Sequence, residues 1–275
     1  METLAAKDLT LGYGDDIIID DLNITIPKGE ITVFIGGNGC GKSTLLRSMA
    51  RLLKPKEGGV VLHGEDIAKV PTKDVAKKLA ILPQSPVSPE GLTVMDLVKQ
   101  GRHPHKSLFK KWSQEDQQAV EEALQSTNML DLQDRAVDSL SGGQRQRAWI
   151  AMTLAQQTDT ILLDEPTTYL DMTHQIDILD LLFELNERDG RTVVMVLHDL
   201  NLACRYAHHI VAIKDKKVYA QGRPEHIVNC SMVSDVFQMN CDVTYDPMFG
   251  TPMCIPHGRG RCLIKSAVEE AKKVN

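Results

Sequence analysis

The stretch Gly36-Gly37-Asn38-Gly39-Cys40-Gly41-Lys42-Ser43-Thr44 decides how this chain is read. It fits the phosphate-binding pattern G-x-x-x-x-G-K-[ST], with Gly36, Gly41, Lys42 and Ser43 in the fixed places. Ahead of it, Ile31-Thr32-Val33-Phe34-Ile35 is the short apolar, β-branched run of a buried strand. Behind it, Leu45, Leu46, Met49, Leu52 and Leu53 recur at helical spacing and predict one apolar helix face. Strand, glycine-rich loop and helix in that order form the context the motif requires. The glycines let the backbone curl so that successive N–H groups surround phosphate oxygens, and the helix start adds the positive end of its dipole. Lys42 is then placed to reach the β- and γ-phosphates, and the Ser43 hydroxyl to bind Mg²⁺.

Composition narrows the class. With 42% hydrophobic and 25% charged residues among 275, the chain is an ordinary globular one with ample material for a core. A formal net charge of −6 argues against a nucleic-acid-binding surface. No window approaches 18 uninterrupted apolar residues, and the first residues lack the basic start and apolar core of a signal peptide. The six cysteines show no C-x-x-C spacing and read as free thiols of a cytoplasmic chain. Cys254, His257 and Cys262 could hold zinc but read better as irregular loop residues.

Residues 3 to 30 alternate between extended runs and turns, predicting a small antiparallel sheet that contains Tyr13, and Gly58 to Asp66 reads as a further hairpin strand. Leu79 to Pro83 predicts a short buried strand ending at Gln84, and the composition shifts at 85–91. From Thr93 to about Thr158 the pattern is helical, with capping boxes at Thr93–Asp96 and Ser113–Asp116. Thr160–Leu163 and Thr192–Leu197 are continuous apolar runs, as central strands of a covered parallel sheet require, with an amphipathic helix between them. A hairpin follows across Ile210–Ala220, then a helix opening at Pro224. From about Cys241 the chain is rich in Pro, Gly and Met and shows little periodicity.

Two further constellations carry chemistry. Leu163-Asp164-Glu165 ends a buried strand, where parallel α/β sheets place their ligands. Asp164 is the candidate to hold Mg²⁺, and Glu165 the candidate base facing the water that attacks the γ-phosphate. Leu140-Ser141-Gly142-Gly143-Gln144 stands before a helix and makes a second anion site without any cationic side chain. Two phosphate-binding elements for one nucleotide point to a dimer.

Leu140 to Gln144 resembles the signature motif of ATP-binding-cassette (ABC) ATPases, and further matches follow in that family's order along most of the chain. Tyr13 falls where the adenine-stacking aromatic lies, 36–44 at Walker A, and Gln84 at the Q-loop. Ile161 to Glu165 resembles Walker B, Tyr169-Leu170-Asp171 the D-loop, and His198 the switch histidine. The resemblance implies an α/β phosphate-loop ATPase with a mixed, largely parallel core sheet, an N-terminal antiparallel β subdomain and an inserted helical subdomain. It divides a single ABC domain into a RecA-like core (1–85 and 159–240), a helical signature subdomain (86–158) and a tail (241–275). It also implies that two copies pair head to tail, with ATP between one Walker A (including Gly37, Asn38, Gly39, Cys40 and Thr44) and the partner's signature. Ser141 and Gly143 then grip the γ-phosphate held by the other protomer, with Gly142 and Gln144 beside them in the same nucleotide-binding segment. Glu165 acts as base, His198 hydrogen-bonds the γ-phosphate, Gln84 approaches Mg²⁺ and water, and Asp171 lies at the dimer interface. Gly37 departs from the proline that many members carry, without removing a phosphate donor.

Gly101-Arg102-His103-Pro104-His105 looks like the G-R-x-P-H stretch of cassettes that serve iron-siderophore, haem and cobalamin importers. The wording around the signature, D-loop and switch histidine, and the tail prolines, is similar to the same group. This implies an ATPase subunit at the cytoplasmic face of the membrane, working with separate permease subunits and, through them, a substrate-binding protein. Iron-siderophore complexes are the expected cargo, with haem, cobalamin or a metal ion as alternatives. His103 and His105 then read as a surface that meets the membrane partner rather than a zinc pair. A soluble ABC ATPase acting on DNA or ribosomes is disfavoured, since neither long coiled coils nor a second cassette appear. A phosphate-loop kinase or GTPase would lack the signature, and no N-K-x-D is present.

Overall fold

The computed structural model describes residues 2–106 and 112–259. The chain opens with two long paired strands, β1 (Glu2–Tyr13) and β2 (Asp16–Pro27), which lead into β3 (Ile31–Ile35) and α1 (Lys42–Met49). Next come β4 (Glu57–Leu62), β5 (Glu65–Asp66), α2 (Thr72–Lys78) and β6 (Leu79–Leu82). Three helices follow without a strand between them: α3 (Val94–Gln100), α4 (Gln114–Ser126) and α5 (Gly142–Ala155). Strand–helix alternation then resumes through β7 (Thr160–Leu163), α6 (Met172–Asp189), β8 (Thr192–Val196), α7 (Leu200–Tyr206) and β9 (His209–Lys214). The described chain closes with β10 (Lys217–Gly222), α8 (Pro224–Ile227), α9 (Cys230–Phe237), β11 (Cys241–Tyr245) and β12 (Pro252–Pro256).

A six-stranded sheet in the order β10-β9-β3-β8-β7-β6 forms the middle layer. Five of its strands run parallel and β10 is the antiparallel edge. A four-stranded antiparallel sheet, β2-β1-β4-β5, lies against one side. The alternation of side chains along each central strand separates two cores. Ile31, Val33, Ile35, Ile161, Leu163, Val193 and Met195 face the core shared with α3 to α7. Phe34, Leu162, Val194, Val196 and Val211 face the other core, with α1 and the antiparallel sheet. Both faces of the parallel strands are therefore covered, which is why they read as continuous apolar runs.

Side chains cap most of the helices. Thr93, Ser113, Ser141, Asp171, Asp199 and Asn229 each accept a backbone N–H from the first turn of α3, α4, α5, α6, α7 and α9 respectively. Ser113–Asp116 is a full reciprocal capping box, whereas Thr93 caps α3 without a bond back to its own N–H. The hairpin turn between β9 and β10 uses Asp215 (φ 47°) and Lys216 (φ 68°), the two left-handed residues that match strand twist.

Two sequence expectations need correction. α1 stops at Met49, capped by Ala50, and Arg51 turns left-handed (φ 61°). Leu45, Leu46 and Met49 are buried while Leu52 is 62% exposed, so the apolar spacing outruns the helix. The segment from Cys241 is not irregular: β11 and β12 pair antiparallel from Cys241↔Pro256 to Tyr245↔Pro252. Prolines at both ends of β12 masked the period-2 signal, which is visible only at buried Pro252 and Cys254. Among the described residues no cluster of His, Cys, Asp or Glu could hold a metal, and Cys262 lies outside them.

The stretch 101–105 divides sharply. Arg102 is 1% exposed and pairs with Asp116 (Nε–Oδ1 2.9 Å), the Ala155 carbonyl (3.0 Å) and Gln157 (2.7 Å). His103 is exposed, but His105 is half-buried, with Nε2 2.8 Å from the Gln156 carbonyl. Only His103 of the pair stands fully free to meet another molecule.

Candidate functional site

The carboxyl ends of β3, β6, β7 and β8 open onto one cleft, bordered by 38–39, 41–44, Gln84, Glu165, Thr168 and His198. Strand order brings these distant segments together: β8, β7 and β6 are neighbours, so Gln84, Asp164, Glu165 and His198 follow the ends of adjacent strands.

The loop 36–41 ends on Gly41, which caps α1 in the left-handed region (φ 101°) without any side-chain bond. A Cβ there would lie 2.8 Å from Ile19 Cδ1, so both the backbone conformation and the close approach demand glycine. The first N–H groups of α1 are left for a ligand. Lys42 is 5% exposed, and its ammonium bonds the Gly36 (2.9 Å) and Gly37 (3.0 Å) carbonyls and sits 3.7 Å from Cys40 Sγ.

Ser43 Oγ donates to Asp164 Oδ1 at 2.7 Å. Burial pushes the Asp164 carboxyl above its ordinary value, Glu165 adds to the rise, and the Ser43 hydroxyl opposes it. A desolvated carboxylate with no ion pair among the described residues, beside a hydroxyl oxygen, is a hard-oxygen pair suited to a divalent cation. Glu165, two residues past the end of β7, turns left-handed (φ 52°) and draws three groups to its carboxylate. Gln84 Nε2 donates to Oε2 (2.5 Å), Thr168 Oγ1 donates to Oε2 (3.0 Å), and His198 Nε2 lies 2.7 Å from Oε1.

Other expected site residues lie elsewhere. Tyr13, at the end of β1, is 50% exposed and does not border the cleft. Ser141 to Gln144 also stand outside it, at the start of α5, where Ser141 and Gln144 form a reciprocal capping box. Asp171 caps α6 and pairs with His174 (Oδ1–Nδ1 2.8 Å). His174 in turn packs so closely on Gly143 that a Cβ there would overlap its ring. Signature and D-loop segments are thus joined within one chain. Gln84 contacts Glu165 rather than the Ser43–Asp164 pair.

The comparisons with known proteins decide the family. The ABC transporter family profile matches residues 19–168. The chain belongs to the ABC transporter family. It is 72% identical to the "Probable siderophore transport system ATP-binding protein YusV" of Bacillus subtilis, covering 97% of both chains. It is 65% identical to the petrobactin import ATP-binding protein FpuD of Bacillus anthracis, over 94% of this chain and 95% of that one. Among solved structures, a dimeric ATP-binding cassette bound to ADP and Pi is 31% identical, with a TM-score of 0.69 over 80% of this chain and 98% of its own.

As an ABC cassette, the chain binds ATP. Sequence reasoning missed Thr168 and His174. Thr168 sits three residues after Glu165, a spacing that reaches back to the carboxylate only once the turn is known. His174 carries no motif of its own and is seen only through its contacts with Asp171 and Gly143.

Proposed function

We propose that this chain is the ATP-hydrolysing subunit of an ABC importer for ferric siderophores. The observation that carries the hydrolytic reading is the convergence of Gln84, Thr168 and His198 on Glu165, beside Lys42 and the Ser43–Asp164 pair. Lys42 and the N–H groups of α1 hold the phosphates of ATP, with Tyr13 free at the surface to stack on the base. Ser43 and Asp164 would hold Mg²⁺, and Gln84, at the end of the neighbouring strand β6, would turn from Glu165 toward it. Bound there, Mg²⁺ supplies charge neutralisation at the phosphate oxygens. Glu165 accepts the proton of the attacking water, and His198 turns from Glu165 Oε1 to the γ-phosphate. Ser141 to Gln144 act on the nucleotide of a second copy, and Asp171 meets that copy at the interface. Support for this pairing is that the signature segment lies outside its own chain's cleft while the related cassette is dimeric.

The cargo class rests on relatives named for siderophore transport and petrobactin import that align along nearly the whole chain. No described helix is long and apolar enough to cross a membrane. In this reading, as in an importer's ATP-binding subunit, separate permease subunits carry the cargo. The subunit then works at the cytoplasmic face, with a substrate-binding protein joining through the permease. Deleting the gene is expected to abolish uptake of at least one labelled ferric siderophore and to spare haem and cobalamin. Unchanged uptake of every siderophore tested overturns the cargo. For the chemistry, Glu165→Gln is expected to lower kcat at least about 100-fold while ATP binding persists. Near-normal turnover removes Glu165 from the role of base.

A further inference from the structure

The hairpin β11–β12 is the part of the molecule that the hydrolytic reading leaves without a task. It is joined to α7, the helix that starts two residues after His198. The Asn201 amide bonds both backbone groups of one residue on β12: Oδ1 accepts from Cys254 N–H (2.8 Å), and Nδ2 donates to the Cys254 carbonyl (3.1 Å). One turn further, Arg205 reaches the Asp246 carboxylate (2.6 Å) and lies 4.4 Å over the Phe249 ring. Asp246 in turn accepts the Met248 and Phe249 N–H groups and holds the hairpin loop. Positions 201 and 205 share one helix face, so the hairpin grips α7 at two successive turns.

The first turn of α7 is fixed in the same way at its other side. Asp199 Oδ1 accepts from Asn201 N (2.8 Å) and Leu202 N (3.0 Å), and the preceding residue is His198. A continuous path of hydrogen bonds and backbone therefore runs from the hairpin through the Asn201 side chain and the α7 cap to the His198–Glu165 contact at 2.7 Å. Removing the Asn201 amide would leave an N–H and a carbonyl of Cys254 without their partners and free the start of α7 to shift. We propose that Asn201 is a positioning residue, through which the tail hairpin sets the orientation of His198 over Glu165. This rests on the hydrolytic reading only for its consequence in turnover. The geometric coupling stands apart from it.

The test uses the full chain. In histidine-selective NMR spectra, the His198 ring signals are assigned by their loss in His198→Ala. Asn201→Ala is expected to shift them while leaving His63, on the far β4–β5 turn, unmoved. Asn201→Asp keeps the acceptor for Cys254 N–H and is expected to shift them less. In ATPase assays, Asn201→Ala is expected to lower kcat roughly tenfold through misplacement of the histidine, with KM for ATP changed less than about twofold. Unmoved His198 signals in both variants, unchanged kcat, or a loss confined to KM overturns the proposal. Failure of both variants to fold overturns it too, because Asn201 would then hold the fold rather than the histidine. A wild-type chain that hydrolyses no ATP defeats the hydrolytic reading, yet the His198 signals still decide the coupling.

Discussion

Asp116 and Asp164 are both buried carboxylates, 4% and 5% exposed, and their pKa values shift in opposite directions. Burial pushes both up. At Asp116, hydrogen bonds from the Ser113 hydroxyl, the Arg102 guanidinium and the Ser113 N–H outweigh that push, and the pKa falls to about 2. At Asp164 the Ser43 hydroxyl is the main opposing group, Glu165 repels, and the pKa stays raised. One site is finished within the chain, with its cation and its donors in place. The other is left short of positive charge at the point where the phosphate loop opens. In the proposed reading, the incompletely compensated carboxylate is the one that a ligand would complete.

The largest expected effect comes from removing the open carboxylate. Asp164→Asn keeps an oxygen for Ser43 but removes the charge that would hold Mg²⁺ in the proposed reaction. ATP hydrolysis is expected to fall at least about 100-fold, while the thermal midpoint without nucleotide does not drop. A marked loss of stability would show that Asp164 is finished in the same sense as Asp116. The converse variant, Asp116→Ala, strands Arg102 without its carboxylate and is expected to cost about 3–5 kcal/mol in denaturant unfolding. Its turnover per folded molecule should stay near wild type.

The pH dependence sharpens the contrast. Asp116 has a folded pKa below its unfolded value, so its contribution is full above about pH 4 and is lost as pH falls toward 2. Asp164 has a folded pKa above its unfolded value, so its contribution is full below that pH and is lost as pH rises through the folded pKa. Unfolding midpoints from pH 3 to 7 should therefore show the Asp116→Asn deficit growing with pH and an Asp164→Asn advantage growing beside it. Parallel curves for the two variants would show that both carboxylates are compensated alike.

The finished parts were the more legible ones. Ile31–Ile35, Thr160–Leu163 and Thr192–Val196 are wholly buried strands, and their composition already said so. The Ser113 box is local in sequence and formed as read. Contacts that depend on pairing across long separations leave no such local signal. Gln84 and Glu165 meet over 81 residues because β6 and β7 are neighbours, and Asn201 meets Cys254 over 53 because a proline-bounded strand folds back. Arg102 belonged to a motif read for its histidines, yet it carries the one ion pair in which both side chains are at least 95% buried among the described residues. Long polar side chains give no periodic signal when they turn inward, so only the fold reveals their partners.

The same distinction separates the two glycine-bearing helix starts, and here the expected effect on stability is smallest. α1 begins at Gly41 with no side-chain cap, whereas α5 begins at Ser141 with its capping box closed by Gln144. Ser141 Oγ already accepts from Gln144 N (3.3 Å), so what it can still offer is its hydroxyl proton. Ser141→Ala removes both functions and should cost about 1 kcal/mol of stability together with hydrolysis. Ser141→Asp keeps a strong cap but sets a negative charge where a partner's γ-phosphate would lie. Its unfolding midpoint should match wild type while ATP hydrolysis is lost, and mixing it with Lys42→Ala chains should restore activity at one site of each mixed dimer. Full activity of Ser141→Asp alone would place the signature among the finished, purely structural caps of this molecule.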